Sequence, residues 1–503
     1  NINNIDSCLL ILSDWADGLL LETEEIDKER GVIHEEWRSR NSGMQRMLER
    51  NLPAIYPNSK YGYRMPIGTM EVVDNFKPQV LRDYYETWYR PDNQGIIVVG
   101  NVDVDYVEKK IKELFGGIVM PENAKPVVTE EVPDNNEPII ILDKDKEQQM
   151  TALMMMFKHD AVPNEAKGTI DYMMLNYAKS IAAYMLNSRL AEYAQKPESP
   201  FVGAEVGDGN FLFANTKGAF SLEATPKDGQ IEASLAAVYR EALRAAEFGF
   251  TATEYERAKA STLSSLEKSY SNKDKRYNSQ FCNAYKAHFL RNEPIPSLDF
   301  RYQTMKQVIP MLPLEAINET MKEMVAKTDS NLVVLCFQNE KEGNVYPTRE
   351  SILKAIADVR AEKLEAFVDN VKNEPIISTL PKKGKITKEK ENTTFGYKEL
   401  QLSNGARVIL KKTDYKKDEV ILKANAVGGT SEYDSKDFAN IKLFNDVVEA
   451  SGLGNFTSTE LQKALAGKIA GMSLSMSNTR VNIGGSSTPK DVETMFQLLY
   501  LTF

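Results

Sequence analysis

The sequence predicts an α+β protein built from repeated αβ layers, in each of which helices pack on one face of an antiparallel or mixed sheet. Apolar residues recur at helical spacing over residues 4–20, 23–38 and 77–88. A buried strand bounded by glycines is predicted at 95–100, and this order of helices and a strand suits an α+β layer. Farther along, Asn404-Gly405 separates two alternating segments and indicates a β-hairpin.

The middle of the chain predicts a second unit of the same kind. Gly249 ends one of its helices, and Thr251 with Glu254 forms a capping box that opens the next. The predicted elements are strands at 138–142, 151–157 and 331–336, helices at 164–195 and 231–248, and a meander at 201–224 with turns at 207–209 and 216–218.

Length and composition predict about three domains. Residues 1–120 are predicted as the back part of a first α+β domain, 121–345 as a complete second domain, and 396–503 as the front part of a third. Residues 346–395, with Pro375, Pro381 and a short basic run, are interpreted as a solvated linker.

Several function classes are disfavoured by the composition. The net charge is −10, and no basic stripe interleaves with aromatic residues, so nothing favours nucleic acid as a partner. No apolar run approaches the roughly 18 residues of a membrane span. Cys8, Cys282 and Cys336 lie far apart and form neither a zinc ribbon nor a disulfide framework.

The segment 23–38 is predicted as an amphipathic helix with Thr23 as its N-cap, and two acids lie within its apolar stripe. Glu29 and Glu36 share about 100° of the helix circumference with Ile26, Ile33 and Trp37. His34 points elsewhere. A carboxylate on a buried face is costly unless it is paired or bound to a metal. Two interpretations stay open: a partly solvated helix with Glu–Arg pairs, or a buried cationic site that Glu29 and Glu36 serve.

The end of the chain resembles its beginning. Ile5, Leu9 and Leu12 match Val492, Phe496 and Leu499, each 487 residues farther along. If this repeat holds, the third unit supplies the front half of a domain whose back half stands at 1–117. The chain would then be about one period of a longer, duplicated protein, which would explain its abrupt ends.

The order and spacing of several motifs resemble the pitrilysin/insulinase-type zinc metallopeptidases, also called inverzincins. The resemblance covers nearly the whole chain, although no single motif is decisive. The segments that carry it are 29–36 (ERGVIHEE), 61–62, 67–69, 88–93 (WYRPDN), 96–103, 249–259, 402–408 and 428–429.

The resemblance implies a duplicated pitrilysin-like architecture and a zinc site. In that family an H-x-x-E-H helix supplies two zinc ligands and a general base, and a Glu from a later helix is the third ligand. Glu36 maps onto this metal ligand, and Glu29 maps onto the catalytic-site carboxylate that supports it. Two acids on an apolar face are thereby accounted for.

The chain departs from the family pattern in its histidines. His34, His159 and His288 are its three histidines, and none belongs to an H-x-x-E-H motif. His159 and His288 are isolated and are interpreted as structural. In the third unit the corresponding position is Asn440–Phe444, as expected for an inactive half. The repeat offset places the active motif upstream of Asn1, so we do not expect this chain by itself to hold zinc or cleave peptides.

The resemblance therefore implies part of a zinc-dependent metalloendopeptidase that hydrolyses peptides in an enclosed chamber. The expected partners are a peptide substrate and the other half of the same polypeptide. A periplasmic or other extracytoplasmic location is implied by the resemblance. The alternative is a non-catalytic structural or peptide-binding subunit of the same fold.

Overall fold

The computed structural model describes residues 4–503, which form two compact units. The first unit comprises Asn1–Gly249, Tyr277–Ile295 and Glu315–Ala366, and the second comprises Phe250–Arg276, Pro296–Leu314 and Phe367–Phe503. Residues 1–3, with which the predicted 1–120 domain begins, lie outside the described residues. The predicted domain boundaries stay a prediction.

Runs of helices and runs of strands follow one another along the chain, as is typical of an α+β fold. The helices are α1 (Ile5–Asp17), α2 (Thr23–Arg40), α3 (Gly43–Ile55), α4 (Met70–Asn75), α5 (Pro78–Trp88), α6 (Val104–Phe115), α7 (Ile170–Ala194), α8 (Ile231–Phe248), α9 (Ala252–Ser271), α10 (Asn278–Arg291), α11 (Leu298–Met311), α12 (Leu314–Met324), α13 (Arg349–Ala361), α14 (Phe438–Ala450), α15 (Ser458–Ala464) and α16 (Val492–Thr502). The strands are β1 (Ile139–Asp145), β2 (Ala152–Asp160), β3 (Phe201–Asn210), β4 (Lys217–Pro226), β5 (Leu332–Asn339), β6 (Ile386–Asn392), β7 (Tyr397–Leu402), β8 (Arg407–Leu410), β9 (Val420–Val427), β10 (Ala470–Met476) and β11 (Arg480–Ser487).

The first unit is organised around a mixed five-stranded sheet in the order β1-β5-β2-β4-β3. The β1–β5 pair is parallel and the remaining pairs are antiparallel. Helices α7 and α8 pack on this sheet, and the ring of Tyr239 on α8 lies 5.9 Å from that of Phe157 on β2. The mixed sheet with packed helices confirms the predicted fold class.

Helix α3 packs on the β1–β5 side of the same sheet. Its Met47, Leu52 and Ile55 are buried in an apolar cluster with Ile141 of β1 and Leu335 of β5. Two bidentate ion pairs hold it there, Arg46 with Asp145 at 2.6 and 2.9 Å and Arg50 with Asp143 at 2.6 and 2.7 Å. The sequence did not predict α3, because Pro53 in its last turn favours a loop.

The second unit contains two antiparallel three-stranded sheets, β10-β11-β9 and β6-β7-β8. Helices α14 and α16 pack against β10. The predicted hairpin is confirmed as β7–β8, where Gly405 has a φ of 89°. Strand β6 lies within residues 346–395, where only a linker was expected.

Four local predictions were wrong or incomplete. Residues 95–100 form no strand and are partly exposed, because no described strand lies beside them to accept ladder hydrogen bonds. The turn expected at 207–209 is instead part of β3, which pairs with β4 through this stretch. The N-cap of α2 is Glu22, and Thr23 is its first helical residue. The repeat-related helices α1 and α16 do begin at Ile5 and Val492, but Leu9 is buried whereas Phe496 is exposed.

Candidate active-site helix

Helix α2 carries both predicted site carboxylates. Glu24 and Glu25 stand in its first turn and Arg38 and Arg40 in its last turn, an arrangement that the helix dipole favours. Its apolar stripe is only partly covered: Ile26 is 6% exposed, whereas Ile33 and Trp37 are of intermediate exposure. The helix is therefore stabilised by one buried anchor and by the electrostatics of its ends.

Two basic side chains fix α2 against the short helix α4. The guanidinium of Arg30 donates to the backbone carbonyls of Val73 and Phe76, the latter at 2.8 Å, and it lies 4.1 Å from the centre of the Phe76 ring. These carbonyls belong to the C-terminal end of α4, where a cation is favoured. His34 Nε2 lies 2.7 Å from Asp74 Oδ1. Together these contacts set the rotation of α2.

That rotation directs Glu29 and Glu36 toward a cavity of about 730 Å³ in the first unit. The cavity wall is mainly apolar, and His34 does not contribute to it. Its lining residues include Leu19–Leu21, Ile26, Ile33, Pro66, Ile67, Val73, Phe76 and Leu81, with Glu22, Glu25, Glu29, Arg30, Glu36 and Arg40. The shared face that helical periodicity predicted for the two carboxylates is thus confirmed.

Of the two interpretations left open, the exposure of this face in the described residues agrees with the partly solvated helix. Glu29 is exposed, and the Glu36 side chain keeps 41% of its surface accessible. Periodicity determines which side chains share a face of a helix, but not what covers that face. Glu36 Oε1 lies 2.7 Å from Arg40 Nη2, one turn farther along. Within residues 4–503, the carboxylate of Glu29 has no ion-pair or hydrogen-bond partner.

The described residues do not fit a complete zinc site. A zinc ion at a catalytic site takes three protein ligands. Across residues 4–503, no group of three or more His, Cys, Asp or Glu side chains is placed to hold a metal ion. Glu36 could supply one ligand and Glu29 a supporting contact, so a metal bound here would need ligands from outside the described residues.

The other two histidines have partners of their own. His159 on β2 lies between Asp208 on β3, 2.8 Å from its Nε2, and the carbonyl of Asp160, 2.9 Å from its Nδ1. Lys179 on α7 binds the second oxygen of Asp208 at 2.8 Å. His288 Nδ1 lies 2.8 Å from the carbonyl of Glu293. Both therefore hold neighbouring segments together, which agrees with their structural interpretation.

Sequence reasoning left Glu–Arg pairs open, but it identified neither Arg40 as the partner of Glu36 nor the contacts of Arg30 with α4. Arg40 stands four residues after Glu36, a spacing that places opposite charges side by side on a helix, so the sequence could have shown this pair. The contacts of Arg30 with α4 could not be read in the same way, because Val73 and Phe76 are more than 40 residues away.

Comparison with known proteins shows which family this chain resembles. Residues 75–262 match the family described as the peptidase M16 inactive domain. The probable zinc protease PqqL of Escherichia coli K12 is 24% identical over 497 residues, which are 99% of this chain and 52% of that protein. The chain is thus similar in sequence to M16 zinc proteases, in agreement with the resemblance that its motifs show to the insulinase/pitrilysin-type peptidases.

Further similar proteins align with nearly the whole chain. The zinc protease PQQL-like protein of Arabidopsis thaliana is 24% identical over 502 residues, covering 99% of this chain and 46% of that protein. The crystal structure of the periplasmic protease PqqL from E. coli superposes with a TM-score of 0.65 at 23% identity, over 100% of this chain and 55% of that one. Pitrilysin shares the fold with a TM-score of 0.56 at 17% identity, over 99% of this chain and 52% of that one.

The chain spans about half the length of the curated relatives it matches. Those relatives are named zinc proteases, and the similar PqqL structure is that of a periplasmic protease. Within residues 4–503, no helix combines the length and the apolar character needed to cross a membrane.

Proposed function

We propose that this chain is part of a zinc-dependent endopeptidase that cleaves peptides in an enclosed chamber. In this proposal Glu36 is a metal ligand and Glu29 is the carboxylate that supports the metal site. One observation carries it: both acids face the same mainly apolar cavity, and neither is held by a strong structural contact.

The surroundings of Glu36 suit the role of a metal ligand better than that of a partner in a structural ion pair. An ion pair between exposed side chains four residues apart contributes only about 0.3–0.5 kcal/mol. Arg40 is itself well exposed and can turn away from Glu36 at little cost. The apolar wall would reduce the solvation of a charge bound beside Glu36 on the side of the cavity and strengthen its attraction to the carboxylate.

Arg30 and His34 would act as positioning residues in this site. By binding α4 they determine which face of α2 meets the cavity, and they touch neither of the proposed site carboxylates in the structure. Residues outside those described would supply the remaining metal ligands. This proposal also places the protein outside the cytoplasm and pairs this chain with a second half of the same polypeptide.

The test compares carboxamide variants in the full-length protein. We expect Glu36→Gln to lower both the zinc content and the rate of peptide hydrolysis by at least about 100-fold, because a metal ligand is lost. Glu29→Gln should lower metal affinity or activity by about 10–100-fold, as outer-sphere partners do. Zinc is measured by mass spectrometry of the dialysed protein, and hydrolysis with a quenched fluorescent peptide.

Glu35→Gln is the matched control for this experiment. Glu35 is adjacent to Glu36, is exposed, pairs with Arg38 one turn away and does not line the cavity. It should keep its zinc and its activity within about two-fold. If Glu36→Gln loses no more than a few-fold of the activity, Glu36 serves the pair with Arg40 and the ligand assignment is wrong.

A non-catalytic structural or peptide-binding subunit is the second candidate, and the Glu36–Arg40 ion pair is the observation that favours it. This candidate predicts a full-length protein that binds peptides or partner chains without zinc and without turnover. Stoichiometric zinc together with hydrolysis that Glu36→Gln abolishes would exclude it.

A further inference from the structure

A second cavity of the first unit, of about 790 Å³, contains a buried side chain that lacks a hydrogen-bond partner. Its walls come from Val202 and the segments 149–151, 225–232 and 338–346. Gln338, near the end of β5, lines the cavity and is only 3% exposed. Among the described residues, none donates a hydrogen bond to its Oε1. A buried amide oxygen without a donor is costly, so its place on a cavity wall points to a molecule in the cavity that donates to it.

Glu232 on α8 is a second acceptor on the wall of this cavity. Ser351 Oγ donates to its Oε1 at 2.8 Å, and within residues 4–503 no cation pairs with the carboxylate. Glu232 stands in the first turn of α8, where the helix dipole stabilises a negative charge. Burial, with a contribution from this charge, raises the pKa of the Cys336 thiol to about 12, and Cys336 is two residues before Gln338 on β5. An ionised carboxylate and an unmet amide oxygen thus line the same space.

The rim of the cavity carries two exposed lysines, Lys227 and Lys341. In the described part of the chain neither of them makes an ion pair. Lys227 belongs to a turn in which the N–H of Gln230 donates to its carbonyl at 3.0 Å and Gly229 has a φ of 71°. The hydroxyl of Tyr346 accepts from the N–H of Lys341 at 2.8 Å and orders the loop that carries this second lysine. The cations therefore stand at the solvent side of the cavity, and the two acceptors are less exposed.

The charges of the lining residues favour a zwitterion over an anion or a simple cation. Two basic side chains, Lys227 and Lys341, are balanced by two acidic ones, Asp228 and Glu232. An anion would meet Glu232 and the unmet acceptor of Gln338, whereas a simple cation would meet the lysines at the rim. A molecule with an ammonium group at one end and a carboxylate at the other is complementary to both regions.

The rest of the wall suits a small ligand with an apolar body. Met150, Val202, Pro226, Ile231 and Val345 all line the cavity. Its volume falls within the range of roughly 300–1,000 Å³ that is usual for small-molecule sites, which combine apolar walls with a few polar groups that fix the orientation of the ligand. A long peptide has its terminal ammonium and carboxylate groups many residues apart and would not place both in one cavity of this size.

We propose that this cavity binds a free apolar α-amino acid. The ammonium group of the ligand donates to Oε1 of Gln338 and to the carboxylate of Glu232. Its carboxylate lies beside Lys227 and Lys341, and its side chain packs on the apolar wall. The site shares no lining residue with the cavity beside α2.

The ligand is tested by isothermal titration calorimetry of the full-length protein with L-leucine. We expect saturable binding with a Kd below about 1 mM. N-acetyl-L-leucine lacks the ammonium group and L-leucinamide lacks the carboxylate, so each should bind at least about ten-fold more weakly than L-leucine. L-leucinamide also resembles the amino terminus of a peptide, so this comparison distinguishes a free amino acid from a peptide end.

Gln338→Leu and Glu232→Gln test the protein side of the site. Each should weaken the binding of L-leucine by at least about ten-fold, because the first removes an acceptor and the second removes the negative charge that the ammonium group meets. Gln338→Leu replaces an unmet polar group with an apolar one of similar size, so the midpoint of urea unfolding should not fall. Glu315→Gln is the matched control, since Glu315 also stands in the first turn of a helix but does not line the cavity. It should keep its affinity for L-leucine within about two-fold.

The proposal is overturned if L-leucine does not bind, since water alone would then complete the hydrogen bonds of Gln338. It is also overturned if L-leucinamide binds as tightly as L-leucine, which would assign the cavity to an amine without a carboxylate. Equal binding of L-leucine by Gln338→Leu, Glu232→Gln and the control would show that the ligand lies elsewhere. The calorimetry requires neither zinc nor peptide hydrolysis, so its result is independent of the proposed peptidase activity.

Discussion

Two carboxylates, Asp369 in the second unit and Glu36 in the first, show how differently an acid can be used in this chain. The side chain of Asp369 is only 3% exposed, and its oxygens accept from Arg257 at 2.8 and 3.0 Å. Lys463 lies 3.1 Å away, and Thr253 donates a further hydrogen bond. Glu36 is 41% exposed and has one flexible partner, Arg40.

The two environments distinguish an acid that stabilises the fold from an acid that is available to bind a ligand. Burial disfavours the charge on Asp369, but the hydrogen bonds from Arg257, Thr253 and Lys463 outweigh it and lower its pKa to about 2. These donors connect α9 and α15 to the segment after α13, so the ionised carboxylate holds the second unit together. Nothing comparable immobilises Glu36, which leaves it free for a ligand.

Neutralising Asp369 should have the largest effect on stability. We expect Asp369→Asn to lower the free energy of unfolding by about 3–5 kcal/mol, because Arg257 and Lys463 remain partly buried without their counter-charge. Hydrogen exchange of amides in α9 and α15 measures this loss within the second unit. In the control Asp274→Asn, the exposed pair with Lys417 is removed and the loss should stay below about 1 kcal/mol.

The dependence of stability on pH in the acid range tests the structural role of Asp369. The pKa of Asp369 is lowered in the folded state, so its contribution is present above its unfolded pKa of about 3.9. It is lost as the pH falls toward the folded pKa of about 2. In Asp369→Asn, the free energy of unfolding of the second unit should therefore change less with pH between about 3.9 and about 2. An unchanged acid profile would show that Asp369 is not the group that titrates.

An intermediate effect on stability is expected for substitution of His159. Its ring is bound by Asp208 and by the backbone carbonyl of Asp160. The hydrogen bond with Asp208 outweighs burial and raises the pKa of His159 above 6.5. His159→Gln should cost about 1–2 kcal/mol at pH 6, a modest loss because a third of the ring is in water. Urea unfolding can be followed by tryptophan fluorescence, since Trp15, Trp37 and Trp88 all lie in the first unit.

The sign of the pH dependence distinguishes His159 from Asp369. Because the folded pKa of His159 is raised, its stabilising contribution is complete below about pH 6.5 and is lost as the pH rises through the folded value. The difference between the unmodified protein and His159→Gln should shrink accordingly as the pH is raised toward 8. A difference that grows with pH would contradict the pairing with Asp208.

The smallest effect on stability is expected for Glu36→Gln. Loss of its ion pair with Arg40 should change the free energy of unfolding by no more than about 0.5 kcal/mol. The same urea titration measures this change, and Glu35→Gln should behave alike. A loss of several kcal/mol would mean that Glu36 is a structural acid like Asp369, and any loss of activity could then reflect misfolding.

The repeat-related helices show where prediction from sequence stops. Both α1 and α16 were predicted from apolar spacing, and both begin where the repeat places them. Helix α16 packs on β10 and β11 and buries Met495 and Leu498, whereas Leu10, Ile11 and Trp15 of α1 are exposed. An amphipathic pattern specifies a helix with an apolar face, but the neighbour that covers the face comes from distant residues.

The sequence by itself determined the α+β class, several of the helices, the Asn404-Gly405 hairpin and the shared face of Glu29 and Glu36. These features depend on local periodicity and turn chemistry, which act over a few residues. The tertiary structure alone decided that this face lines an open cavity, that Asp369 is buried among cations and that Gln338 is buried beside a second cavity. Burial and strand pairing join residues far apart in the chain, so no local pattern contains them.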